Sequence, residues 1–201
     1  MQTLLFNESM DLVAMCILLI HMFPKFKSVL IGILCVLVYL YRVPNRPSIT
    51  GDPTRIVSPC DGTVLDIIDL PNGFTQIIIY LSILDVHAQW FPTDGTVHET
   101  VYTPGKFNLA HILEKSDYNE KVTTILETPY GQVRINQIAG QVARRIVNWS
   151  RPGQCVNRGD LMGMIKLSSR VDLFLPTSKY STCIRMGSRV FGNKTIIGNW
   201  N

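Results

Sequence analysis

The chain has 201 residues, 46% of them hydrophobic, and a formal charge of +4. That length accommodates one domain plus an anchor, and the charge is too mild for a dedicated nucleic-acid binder while suiting an anionic lipid surface. The five cysteines, Cys16, Cys35, Cys60, Cys155 and Cys183, are scattered without a Cys-x-x-Cys pair, which argues against a zinc site or disulfide framework and for a reducing compartment.

Residues 1–42 differ in composition from the rest. Leu12 to Ile20 is apolar, and Ser28 to Tyr41 is an uncharged apolar stretch; Pro24, Lys25 and Lys27 separate the two. A full helical span needs about 20 apolar residues, so each piece is short. Basic residues lie on both sides of the second piece, with Arg42 and Arg46 following it. The positive-inside rule disfavours sending either end across a bilayer. The pattern predicts a helical membrane anchor, re-entrant or a shallow hairpin, with both ends on one side. A single short span and a buried core helix are the alternatives. No small-residue cleavage site follows, which argues against a signal peptide.

Tyr41 to Asp52, with Pro44, Pro47 and Gly51, reads as a linker. Beyond it the pattern is mostly β. The β-branched runs 63–68 and 75–83 flank Pro71-Asn72-Gly73 and predict a hairpin. Pro-x-Asp-Gly-Thr-Val occurs twice, at 59–64 and 92–97, which suggests two similar turn-then-strand units packed with pseudo-symmetry. Further strands are predicted at 122–127, 131–138, 142–147, 161–167, 170–175, 182–185 and 194–198, with one helical stretch in 105–118. The expected fold of residues 43–201 is α+β and predominantly β: a sandwich or partly open barrel with hammerhead-like turns.

Ser168-Ser169 sits between two apolar alternating runs. A hydroxyl beside a backbone carbonyl, held at the edge of rigid β-structure, is what a chain needs to cut itself; a solvated pair in a turn is the plain alternative. Self-cleavage needs a base for the hydroxyl, because serine is a poor nucleophile at neutral pH. Histidine suits that task, with an unperturbed pKa of about 6.5. A carboxylate would orient the imidazole. Asp85 and His87 are spaced to share a face of a regular strand. Asp61 could instead cap its own Asp-Gly turn. Its echo Asp94 is read as such a turn cap, and His21, His98 and His111 as packing or surface residues.

Several stretches in order resemble the short form of the phosphatidylserine decarboxylase family. They are Ser58-Pro59-Cys60-Asp61-Gly62, then Leu81 to His87 with Phe91-Pro92, then Pro104-Gly105-Lys106-Phe107 with Glu114-Lys115-Ser116 and Asn119-Glu120. Ile138 to Val147 and Met162 to Pro176 complete the series, so the resemblance covers about residues 42–198. It implies a membrane-bound, pyruvoyl-dependent carboxy-lyase that makes phosphatidylethanolamine from phosphatidylserine. Cleavage between Ser168 and Ser169 would leave a large subunit, 1–168, and a small subunit, 169–201, whose Ser169 becomes the covalent pyruvoyl group. That group would form a Schiff base with the substrate amine and withdraw electrons as CO2 leaves. The resemblance assigns catalytic roles to Ser169, His87, Asp61 and Asp85, and no metal. His87 is the first choice as proton donor. It implies phosphatidylserine, the membrane and the two halves of one cleaved chain as partners, with no nucleic acid and with a homo-oligomer compatible. The catalytic domain is expected on the cytoplasmic side of its membrane.

The chain departs from the family at two positions. Ser168 stands where glycine usually precedes the cut, and Trp90 where a histidine or arginine is usual. Gly187-Ser188 mimics a cleavage pair, but its surroundings do not match. Arg144-Arg145 suits either lipid phosphate or a solvated strand edge. Arg170 and Asp172 are expected to pin local geometry. An uncut, inactive family member is one alternative. A lipoyl- or biotinyl-type carrier, suggested by Gly140, Gly153, Gly159-Asp160-Leu161 and Met164-Ile165-Lys166 with Lys166 as attachment point, is another.

Overall fold

The structure is a computed structural model that describes residues 3–47, 49, 51–141, 145–166 and 169–201, with side chains from residue 13 onward. The chain forms two compact units, Met1–Arg42 and Val43–Asn201. In the first, α1 (Thr3–Met22) and α2 (Lys27–Leu40) are separated by the short 3-10 turn Pro24–Phe26. Pro24 has no N–H to give and its ring crowds the preceding turn, so α1 stops there. Among the described residues no single helix is long and apolar enough to cross a membrane. Val13–Met22 together with Pro24–Leu40 has the length and composition, bent by 115°.

The second unit is predominantly β. Its strands are β1 (Arg55–Val57), β2 (Gly62–Asp69), β3 (Phe74–Leu81), β4 (Ala88–Trp90), β5 (Gly95–Thr103), β6 (Lys121–Thr128) and β7 (Gly131–Ala139). After them come β8 (Ile146–Asn148), β9 (Cys155–Val156), β10 (Leu161–Ile165), β11 (Ser169–Pro176), β12 (Tyr180–Thr182), β13 (Arg189–Val190) and β14 (Ile196–Trp200). An eight-stranded sheet, curled as a half-barrel, runs β13-β2-β3-β11-β7-β6-β5-β9. Two three-stranded sheets, β1-β14-β12 and β4-β10-β8, complete the unit. Ile77, Ile79, Val133, Ile135, Val171 and Leu173 belong to the core. β11 lies centrally and is buried on both faces, which explains its nearly continuous apolar sequence.

The repeated Pro-x-Asp-Gly-Thr-Val is the signature of an internal duplication. β2 and β5 each begin at the glycine, and each carries a register shift at the matching place, Val64/Asp66 and Val97/Glu99. Gly187 N–H and Gly153 N–H donate to the Val64 and Val97 carbonyls, both at 2.8 Å. The edge strands match as well, Val190 opposite Gly62 and Val156 opposite Gly95. The two turns also hold each other: Trp90 N–H donates to Pro59 O (2.8 Å) and Val57 N–H to Pro92 O (3.0 Å). One half is therefore β1–β3 with β11–β14, the other β4–β6 with β7–β10, meeting where β11 pairs with β7.

The duplication breaks at one point. In the second half β6 and β7 are joined by a tight turn, Thr128 lying opposite Gly131. In the first half the corresponding strand ends are Leu81 and Ser169, which pair but are not joined. The chain leaves Leu81 into another segment and returns to Ser169 from β10.

Several expectations need correction. The helical stretch shrinks to α3 (Leu113–Ser116), and β5 extends well beyond the predicted unit. β3 stops at Leu81, and of residues 182–185 only Thr182 belongs to a strand. Of 142–147, residues 142–144 lie outside the described residues. β10 and β11 lie in different sheets, so no tight hairpin presents Lys166 as a carrier lysine.

Candidate active site

Ser169 opens β11 with its main chain fixed on both sides, opposite Leu81 of β3 and Ala139 of β7. The residue is fully buried, and its Oγ has no hydrogen-bond partner among the described residues. Leaving a buried hydroxyl unsatisfied costs about 1–3 kcal/mol, so its retention calls for a reason. Ser168, the other half of the predicted cleavage pair, lies outside the described residues, as does Arg144. Ser188, the decoy, is half-buried in a turn: its Oγ accepts from Arg185 N–H and its carbonyl from Val64 N–H. Its counterpart in the other half is Gln154, whose carbonyl accepts from Val97 N–H, which marks Gly187-Ser188 as a structural turn.

His87 is tied through its main chain to the strand that precedes Ser169 in sequence. Ile165 N–H donates to His87 O (3.1 Å), and Gln89 Nε2 donates to the same oxygen (2.5 Å). Leu81 pairs with Ser169, and six residues past Leu81 the His87 carbonyl takes the N–H of Ile165, four residues before Ser169. His87 and Ser169 are both buried.

Asp85 lies in a turn rather than on a strand, so the shared face expected for Asp85 and His87 does not form. Ser82 N–H and Ser82 Oγ–H both donate to Asp85 Oδ2 (2.8 and 2.9 Å), and Arg189 pairs with both carboxylate oxygens. Burial pushes the Asp85 carboxyl up, but Arg189 and Ser82 outweigh it and hold the group below the usual carboxylate value.

Asp61 is likewise committed. Arg46 from the linker donates twice to its carboxylate (2.5 and 2.9 Å), and Gly192 N–H adds a third bond (2.8 Å). Asp94 takes Arg158 N–H in the same way (2.6 Å), so in both halves the Asp-Gly aspartate bonds a backbone N–H distant in sequence, rather than capping its own turn as expected. Arg46 is what distinguishes the first. Its guanidinium also lies 4.7 Å from the Trp90 ring centroid and donates to Gly192 O (2.7 Å). A Cβ on Gly192 would come within 2.5 Å of the Trp90 ring, so the close approach requires glycine.

The central loop gathers beside Ser169. Asn119 Nδ2 donates to Ala139 O (2.8 Å), on the residue opposite Ser169, and to Asn108 O (2.9 Å). Gly105 packs so tightly on this loop that a Cβ would meet Asn119 C at 2.4 Å. Arg170, next to Ser169, points into a buried polar cluster as expected. It pairs with Asp172 (2.6 and 2.7 Å) and donates to Ser116 Oγ (2.7 Å), while Asp117 takes a further bond (2.9 Å). Burial pushes the Asp172 carboxyl up; Arg170 and Gln76 offset part of that.

Two features escaped sequence reasoning. One is Arg46, whose partner is set by tertiary contact alone. The other is a buried amide chain: Gln137 Nε2 donates to Gln89 Oε1, and Asn148 Nδ2 to Gln137 Oε1, both at 2.8 Å. It continues to Thr124 Oγ1 (2.9 Å) and ends, through Gln89, on the His87 carbonyl. Amides at inward strand positions were its only sequence signal.

A buried serine whose hydroxyl has no partner among the described residues, and a buried histidine tied to the strand before it, are a candidate nucleophile and base for an enzyme site in a half-barrel built by duplication. The model of the phosphatidylserine decarboxylase family matches residues 35–198. Three proteins named phosphatidylserine decarboxylase proenzyme are similar to the chain. That of Carboxydothermus hydrogenoformans is 38% identical, covering 80% of this chain and 78% of the relative. That of Bacteroides fragilis is 36% identical, covering 86% and 81%. That of Ehrlichia chaffeensis is 36% identical, covering 83% and 79%. The chain belongs to the phosphatidylserine decarboxylase family, whose members are carboxy-lyases of phospholipid biosynthesis.

Proposed function

We propose that this chain cuts itself between Ser168 and Ser169 and then converts phosphatidylserine to phosphatidylethanolamine and CO2. The observation that carries the reading is the Ser169 hydroxyl, buried and without a hydrogen-bond partner among the described residues, on a strand locked from both sides. Oγ attacks the Ser168 carbonyl carbon, the Ser168–Ser169 amide bond breaks, and the Oγ proton passes to the freed nitrogen, giving an ester. Loss of the Ser169 α-proton then expels the Ser168 carboxylate and leaves a dehydroalanine, which takes up water and releases ammonia. A pyruvoyl group at residue 169 supplies an electron-accepting carbonyl for the decarboxylation.

The chain's own residues supply the rest. His87 takes the Ser169 Oγ proton and passes it to the freed nitrogen, and in turnover it gives a proton to the substrate carbon, with its main chain held by Ile165 and Gln89. Asp85 steadies the turn that carries His87. Asp61 joins Arg46 to Gly192 across the proposed subunits. Residues 1–42 act as a membrane anchor, supported by the bent apolar pair, with the catalytic domain on the cytoplasmic side. One observation favours a second reading, an uncut and inactive family member: Asp61 is saturated by Arg46 and Gly192, and the Trp90 indole cannot take a proton.

The test is CO2 release from phosphatidylserine by the full chain. Wild type should release it, His87→Ala should lose about 100-fold or more, and Ser169→Ala should release none. Equal activity in all three would exclude this chemistry.

A further inference from the structure

The rim beside the site carries apolar tips. The 82–86 turn displays Ile83 (45% exposed) and Leu84 (66%), the 185–188 turn Met186 (70%), and the 191–195 bend Phe191 (44%). These tips are neighbours. Arg189 pairs with Asp85 across the first two, and its guanidinium lies 5.6 Å from the Phe191 ring centroid. Single exposed apolar residues are ordinary, whereas several on adjoining tips mark a surface that meets something.

Charge identifies the partner. From Leu173 to Asn201 the chain has no Asp or Glu, and around the 185–188 and 191–195 tips it has Arg185, Arg189 and Lys194. The one carboxylate of the 82–86 turn, Asp85, is buried against Arg189. Apolar tips set among cations match the interface of an anionic bilayer, where apolar groups enter the acyl boundary and cations meet phosphates.

We infer that these three turns form a lip that sits in the headgroup layer of an anionic bilayer. His87 lies just past Asp85, and Gly192, on the Asp61 carboxylate, follows Phe191. A phospholipid drawn over the lip therefore reaches the site without its acyl chains crossing water. The lip deepens the decarboxylase reading and rests on it for its purpose, but the contact can be tested without activity.

The full chain is bound to phosphatidylcholine–phosphatidylserine vesicles carrying brominated acyl chains. Met186→Trp should be strongly quenched, and Tyr102→Trp, on β5 near the opposite edge of the sheet, should not. Leu84→Asp with Met186→Asp should lower the decarboxylation rate on these vesicles about tenfold, while leaving the rate on a short-chain, water-soluble phosphatidylserine unchanged. No quenching at residue 186, quenching equal to that at residue 102, or equal loss on both substrates would overturn the lip. So would a solution mass showing these tips buried in a dimer. Strong quenching in a chain that releases no CO2 from the soluble substrate would keep the lip and remove the decarboxylase reading.

Discussion

Two aspartates expected beside the nucleophile are held by arginines. Arg46 and Asp61 expose only 6% of each side chain, and among the described residues Arg46 is the cation paired with Asp61. Removing one partner of such a pair strands the other and typically costs about 3–5 kcal/mol. Arg46→Ala should therefore lower the denaturant midpoint markedly, and Arg46→Lys, which cannot reproduce the two-pronged contact, should recover part of the loss. A midpoint unchanged in Arg46→Ala would contradict the pairing. Asp85 brings a pH dependence. Its carboxyl is held below the ordinary value in the folded chain. The stability it contributes is therefore complete above the unfolded carboxylate value and lost as pH falls through the lower folded value. Asp85→Asn should flatten the stability profile across that acidic window, measured by denaturation at stepped pH; an unchanged slope would mean that Arg189 does not hold the ionised form.

At the scale of elements, legibility followed local chemistry. The repeated Pro-x-Asp-Gly-Thr-Val announced the duplication because the same contiguous residues make equivalent contacts in both halves. β2, β3, β6, β7 and β11 were legible from β-branched alternation, which burial between neighbouring strands enforces. The 82–87 segment was misread because Ile83, Leu84 and Val86 suit a strand. Ser82 and Asp85 bond each other across the spacing of a capping box and bend the chain instead. The Ser-x-x-Asp spacing was the available signal. Arg46 and the Gln89–Gln137–Asn148 chain were not legible, since each depends on which distant residue the fold brings up. Gln137→Leu should cost about 1–3 kcal/mol by stranding Gln89 and Asn148, read as a shift in the thermal midpoint; no shift would mean the amide chain holds nothing in place.

Across the β unit, the segment proposed to become the small subunit is woven into two of the three sheets. β11 lies between β3 and β7, β13 edges β2, and β14 lies between β1 and β12. Arg170 and Arg189 add ion pairs to Asp117 and Asp85. Cutting the chain before Ser169 therefore leaves the core intact. The two products should elute together in native buffer and separate only in denaturant. Dissociation in native buffer would contradict this packing.

Self-processing at Ser169 is tested most directly by the intact mass of the purified chain under denaturing conditions. Two species are expected in place of one of 22.7 kDa: residues 1–168, and residues 169–201 bearing a ketone instead of an amino terminus. Ser188→Ala should cut as wild type does, and Ser169→Ala should not cut. A wild-type chain that stays whole on long incubation with membranes, or a cut that survives Ser169→Ala, would contradict the assignment.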